Sequence, residues 1–143
     1  MDSKILNFLN NNRVSVFTTL LPDGSPHSAA LHYSHVEEPL TLYFSIENTS
    51  RKCQDLLTGK TVKASVVIGF SEQEWITIQM DGSARLVSDS LELQSAKAIH
   101  YPKHPNSQKF ENDPATVFLA FIPTWYRYSE FKSAPPVKIE ATP

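Results

Sequence analysis

Apolar positions fall on two different periods along the chain, and the change between them sets out its elements. Near the start, Ile5, Leu6, Phe8 and Leu9 share one helical face, which predicts a short helix over residues 3–11 capped by Asp2 or Ser3. The next stretch, RVSVFTTL, is β-branched and aromatic and predicts a strand. LPDGSP carries a strong turn signal and HSAALHY reads as the return strand, so residues 13–33 form a predicted hairpin. EEP makes the next turn and LTLYFSI a third strand. A second helix is predicted after Thr49, with Cys53, Leu56 and Leu57 inward and Gly59 ending it in the left-handed conformation. TVKASVVIGF and EWITIQMDGSARLVS predict two further long strands, and Ser88 or Asp89 caps a helix running to about Ile99. The two prolines in YPKHPNSQKF predict a loop with a short helical turn, placing His100 and His104 in that loop. ATVFLAFIP and TWYRYSEF read as a last pair of strands, and the tail from Lys132 to Pro143 as extended or mobile.

Six or more strands joined by turns this tight pair antiparallel. ASVVIGF and TVFLAF are apolar on both faces, so a single open sheet would leave one apolar face in water. A closed barrel, or a second subunit over the sheet, resolves this.

The bulk properties narrow the setting. A chain of 143 residues with 41% hydrophobic and 20% charged positions supports one globular domain with a real core. A net charge of −2 gives no electrostatic case for nucleic acid or an anionic membrane. No apolar run approaches the roughly 20 residues of a membrane span, and the N-terminal segment lacks the features of a signal peptide. The single Cys53 excludes an intramolecular disulfide, and a reducing cytoplasm is the simplest setting.

The chemistry concentrates in SIENTSRK. A strand ends, a loop crosses, and the predicted helix begins at Ser50, Arg51 and Lys52. Cations are disfavoured at a helix N-terminus, whereas anions are favoured there. A phosphate would resolve the conflict: Arg binds it bidentately, Lys adds a point charge and Ser a hydrogen bond. The local chemistry alone is equally consistent with a capped helix carrying two solvated charges.

The order of elements bears on that choice. A helix, a hairpin with a Pro-Asp-Gly turn, a strand ending in YFS, then SRK resembles the pyridoxamine 5'-phosphate oxidase-like family of FMN-binding split barrels. EWITIQMDGSARLVSD is similar to that family's long strand at Gly82, Ala84 and Leu86, and FIPTWYRYSEF to its closing strand. The resemblance spans roughly residues 3–131 and implies a mainly β fold: an antiparallel six-stranded split β-barrel with peripheral helices. That sets a single domain at residues 1–131 and an extended tail at 132–143.

The resemblance also implies an FMN site. Ser50, Arg51 and Lys52 would hold the phosphate, with Phe44 and Ser45 beside the ribityl chain and ring. The strand containing Ala29, Ala30, Leu31 and His32 would run along the isoalloxazine, mostly through backbone groups. Thr77 and Gln79 would hydrogen-bond the cofactor. The site would lie at a homodimer interface, with Trp125 or Tyr126 reaching the partner's flavin. Against the family's oxidases, Ala29 and Ser34 stand where an Arg and a Lys hold the substrate, and the tail SAPPVKIEATP lacks their Arg-x-His element. Turnover of pyridoxamine 5'-phosphate is therefore not expected.

The remaining candidates point less far. His27, His32 and His35 cluster around one strand, but His32 has the opposite parity, so no metal site is expected. Some relatives of this barrel bind haem, and no histidine stands out as an axial ligand. Cys53 reads as a small buried residue. No paired carboxylates, Gly-rich phosphate loop or Ser-His-Asp ordering is present. The leading reading is an FMN-dependent oxidoreductase with a small-molecule substrate or electron donor and no identifiable catalytic residue. The alternatives are a non-enzymatic flavin or haem carrier, store or sensor, and a dimeric scaffold.

Overall fold

The computed structural model describes residues 1–143. Helix α1, Ser3–Asn11, begins where the Asp2 carboxylate accepts from the Lys4 N–H at 2.7 Å, and it buries Ile5, Phe8 and Leu9. Strands β1 (Val14–Leu20), β2 (Pro26–His32), β3 (Ser34–Glu37) and β4 (Leu40–Glu47) follow. Then come β5 (Val62–Ile68), β6 (Ile76–Leu86), helix α2 (Ser90–Lys103), β7 (Thr116–Glu130) and β8 (Val137–Ala141).

All pairings are antiparallel, in the order β2-β1-β5-β6-β7-β4-β3, with β8 added to β7. The two ends of that order, β2 and β3, are one chain run bent at Tyr33. The sheet therefore closes on itself as a barrel. Phe17, Phe44, Val66, Ile78, Met80 and Phe121 fill it, and α1 lies against the same core. A second, smaller core lies outside the barrel, where α2 packs Ala96 and Tyr101 onto Tyr43, Phe118 and Ala120. Arg85 grips Glu92 with two hydrogen bonds of 2.9 and 2.8 Å, and the Tyr43 hydroxyl donates to the same carboxylate, tying α2 to β6 and β4. The Arg85 guanidinium, ahead of the Tyr43 hydrogen bond, holds the Glu92 carboxyl below its ordinary value.

Several elements differ from the sequence expectation. There are eight strands rather than six. The return strand of the first hairpin is β2, on β1, and an unexpected strand, β3, follows it on β4. The expected last pair is one strand of 15 residues, β7, which curves through a register shift opposite Asp81 and Gly82. A Cβ at Gly82 would lie 2.1 Å from the Ile122 carbonyl oxygen, which is why glycine stands at the bulge.

The expected helix after Thr49 is instead two 3-10 turns, Arg51–Cys53 and Leu56–Thr58. At three residues per turn, Cys53 and Leu56 align on the buried side and Leu57 turns outward, 42% exposed. Gly59 ends the segment in the left-handed conformation, as the sequence predicts. Helix α2 runs past Ile99 and through Pro102 to Lys103. Proline has no N–H to give the preceding turn. The loss falls in the last turn, where burial of His100, Tyr101 and His104 holds the helix in place. The tail is extended and forms β8, with Val137, Ile139 and Ala141 packed against the core.

Candidate cofactor site

The barrel is open along one seam. β3 pairs with β4 from Glu37↔Leu40 to Ser34↔Tyr43, and there the ladder ends. Continuing that register would set Leu31 opposite Ile46, but no β2–β4 pairing forms. β2 turns away at Tyr33 to pair with β1, so the facing edges of β2 and β4 diverge. Unpaired edge N–H and C=O groups are strong hydrogen-bonding groups that need partners. This edge of Ala29, Ala30, Leu31 and His32 thus offers backbone to a ligand, although the Leu31 carbonyl already accepts from Ser15 Oγ at 2.9 Å.

The Ser50–Lys52 turn closes one end of the seam, immediately after β4. The absence of an α-helix here removes the macrodipole expected from the sequence; a single 3-10 turn sums few peptide dipoles. What remains is side-chain chemistry. Ser50 makes no capping hydrogen bond with its hydroxyl, and neither Arg51 nor Lys52 has an ion-pair partner. Lys52 is half-buried, and that burial pulls its ammonium below the ordinary value. A partly desolvated cation without a counter-charge is unfavourable. The Asp23 carboxylate, in the β1–β2 turn, feels the Arg51 charge weakly, after its own hydrogen bonds from Ser25. The hairpin tip therefore comes toward this end of the seam.

The structure distributes the other candidates over three faces. Phe44 is fully buried, its ring 5.1 Å from that of Phe17, so only its backbone is available at the seam. Ser45 has the opposite parity and lies with Tyr43 on the side toward α2. Thr77 and Gln79 stand on the outer face of β6, where Thr77 Oγ1 donates to the Ile68 carbonyl at 3.0 Å and Gln79 is exposed. One cross-strand row runs Ala30, Val16, Val67, Gln79. Three strand spacings of about 4.8 Å put Gln79 roughly 14 Å from Ala30. Trp125, half-buried, is on the same outer face opposite Asp81, with the Arg127 guanidinium 5.5 Å from its ring. Tyr126 points into the core and is 6% exposed, so it reaches no neighbouring surface. Beside this face lies an open cleft of about 540 Å³ lined by Thr18, Ser65, Asp81, Ser83 and Thr124 among others.

The histidines fall where the sequence did not place them. His100 and His104 are buried in the last turn of α2, with His104 stacked on His32 at 4.8 Å. The proline after His100 masked this continuation of the helix. No group of three or more His, Cys, Asp or Glu side chains converges as a metal set would. Cys53 is fully buried, with Sγ 3.6 Å from the Glu47 carbonyl, and burial raises its thiol above the ordinary value.

This barrel and its seam belong to a known class. Residues 1–130 match the pattern of the Pyridoxamine 5'-phosphate oxidase family, and the chain is a member of that family. Among curated proteins none matches it. Solved structures share the split-barrel fold at low identity. A haem-binding protein from Mycobacterium smegmatis superposes with a TM-score of 0.74 at 13% identity over 94% of this chain, which spans 55% of that protein's length. The general stress protein 26 of Bacillus anthracis str. Sterne gives 0.69 at 20% identity, covering 96% of each chain. HutZ, the haem storage protein of Vibrio cholerae, gives 0.71 at 14% identity over 85% of this chain and 89% of that one. No helix is long and apolar enough to cross a membrane.

Proposed function

We propose that the chain binds FMN in the seam between β2 and β4, with its phosphate on Ser50, Arg51 and Lys52, as a homodimer. The observation that carries this reading is Lys52: half-buried, without a counter-ion, beside a free serine hydroxyl and a second unpaired cation. A phosphate monoester supplies the missing charge and several acceptor oxygens. The diverging edge of β2 supplies backbone groups for a polar, planar ring system. Thr77, Gln79 and Trp125 lie too far around one barrel to share that ligand, so they would act on the flavin of a second copy across the interface. The exposed apolar positions Val14 and Leu20 on the outer face of β1 suit such an interface.

Bound FMN would supply hydride and single-electron chemistry; the chain's part is to orient the ring and set access to it. This makes the protein a flavin-dependent oxidoreductase acting on a small molecule, with a reduced nicotinamide as candidate electron donor. Family membership and the fold support this setting, as does the single buried thiol for a cytoplasmic one. Ala29 is a half-buried alanine and Ser34 is committed to His100, so neither supplies a cation to a substrate phosphate. Pyridoxamine 5'-phosphate is therefore expected to be a poor substrate.

A second reading, a haem binder, draws on the haem-binding and haem-storage structures and on His32, the one imidazole at the seam that is exposed. The visible spectrum of the purified protein, as isolated and after incubation with FMN or haemin, tests both. The flavin reading expects a bound flavin band and oxidation of reduced nicotinamide with an added acceptor. A Soret band from stoichiometric haem, lost in His32→Ala, would replace it with the haem reading. Bound flavin without turnover would make the protein a carrier or sensor.

A further inference from the structure

The mechanism above leaves unused the most concentrated group of titratable side chains in the molecule, the imidazoles at the far end of the seam. His100 Nδ1 lies 2.9 Å from Ser34 Oγ, and His104 Nε2 lies 2.6 Å from the Tyr33 carbonyl oxygen. A carbonyl only accepts, so His104 carries its proton on Nε2, and Nδ1 is left with a bare lone pair. That Nδ1 is buried and has no partner. The His104 ring stacks on His32 at 4.8 Å and packs against His100 at 4.8 Å. Both hydrogen bonds land on the bend that separates β2 from β3, where the barrel opens.

The charged groups around this cluster all have one sign. From α2, Lys103 donates to the Leu9 carbonyl and sits 4.0 Å above the Tyr33 ring. From the start of β1, Arg13 bears on His104. From the end of β2 comes His32. Phe118 of β7 meets His100 edge-on. None of the charges acting on His35, His100 or His104 is a carboxylate. A proton arriving on any of these rings thus meets burial and like charge, with no counter-ion to receive it.

We propose that His100 and His104, with His32 stacked on His104, form an acid-sensitive latch, which holds the last turn of α2 against the β2–β3 bend and releases it when His100 and His104 protonate. Burial first, and neighbouring cations after it, hold His100 at about 3, and burial outweighs the opposing Tyr33 hydrogen bond to hold His104 at about 4. The latch is therefore closed at neutral pH and opens below it. Release would take the His104 hydrogen bond from the Tyr33 carbonyl and the His100 hydrogen bond from Ser34, removing the α2 support of the bend at which the seam begins, whatever ligand it holds. The inference rests on the imidazole geometry and not on the identity of the cofactor.

Hydrogen exchange of the full chain without cofactor, measured at pH 7 and pH 5 and corrected for intrinsic exchange, tests it. Amides of the last turn of α2 and of residues 31–35 should lose protection by at least about tenfold at pH 5 and stay less protected than β5 and β6, whose exchange follows global unfolding. In the double variant His100→Gln/His104→Gln, glutamine can still donate to the Tyr33 carbonyl but cannot take a proton, and the difference should shrink to about twofold or less. An equal loss in the double variant, or protection at pH 5 no lower in the helix turn than in β5 and β6, would overturn the latch. Where the double variant does not fold, proton titration of the wild-type imidazoles by NMR decides. Titration of His100 and His104 near the ordinary histidine value, with the helix turn still protected, would overturn it. Their titration well below the ordinary histidine value, in step with loss of that protection, is the expected result.

Discussion

Replacing Lys52 with methionine keeps the length and apolar body of the side chain and removes its charge. In the ligand-free protein that charge is a burden: Lys52 is half-buried, its ammonium is pulled below the ordinary value by burial, and no carboxylate lies within ion-pair distance. Lys52→Met should therefore leave the apo melting temperature unchanged or slightly higher. With FMN the sign reverses. A hydrogen bond to a charged group contributes about 1.5–3 kcal/mol, so affinity for FMN should fall by about 10- to 150-fold. Riboflavin, which lacks the phosphate, should bind both proteins about equally. The thermal shift gives an independent reading. Ligand at one hundred times its Kd stabilises by about 2.7 kcal/mol, and a tenfold weaker Kd reduces that to about 1.4 kcal/mol at the same concentration. Flavin fluorescence titration and thermal melts on wild type and variant provide both numbers. A matched loss for FMN and riboflavin would mean that Lys52 supports the fold. Undiminished FMN affinity would return Ser50–Lys52 to an ordinary surface turn.

The remaining predictions concern the scaffold. Gly82→Ala should destabilise by about 3 kcal/mol or more in urea unfolding, because its Cβ would meet the Ile122 carbonyl oxygen at 2.1 Å and backbone cannot yield as a side chain does. Phe44→Ala should cost about 3–5 kcal/mol of stability, and a stable variant with altered flavin binding alone would contradict its place in the core. Arg85→Met should cost about 1–2 kcal/mol, since it strands Glu92 but leaves that carboxylate partly in water. Global stability should fall between pH 6.5 and 4: His35, His100 and His104 are held low by burial, so the unfolded chain binds more protons over that range. Equal unfolding midpoints at pH 7 and pH 5 would argue against that burial. FMN-loaded protein should turn over pyridoxamine 5'-phosphate poorly in an oxidase assay.

The barrel was legible in the sequence where the residue types themselves dictate it. β-branched and aromatic residues marked β1, and the Pro-Asp-Gly turn marked the first hairpin. The sequence overstated the breaks and understated the continuities. A proline in FIPTW suggested two strands, yet Pro123 sits opposite Gly82 at a register shift, where a missing N–H is tolerated. Pro102 suggested the end of a helix, yet tertiary burial of His100, Tyr101 and His104 carries α2 past it. The geometry of the Ser50–Lys52 turn was not legible: a helix was expected and a 3-10 turn is found. Cys53, Leu56 and Leu57 fit an α-helical face, and only the three-residue spacing of the first two separates a 3-10 turn from it. Which face each strand residue presents, and hence that Phe44 points inward while Ser45 points toward α2, depends on barrel closure at Tyr33, a long-range event with no local signal.

Sedimentation velocity of the FMN-loaded protein, followed at the protein band and at the visible flavin band together, bears most directly on the central claim of a flavin held between two copies of the chain. Flavin absorbance should move with a single species of about twice the 16.1 kDa chain mass. Flavin left at the meniscus, or carried by a 16.1 kDa monomer, would contradict it.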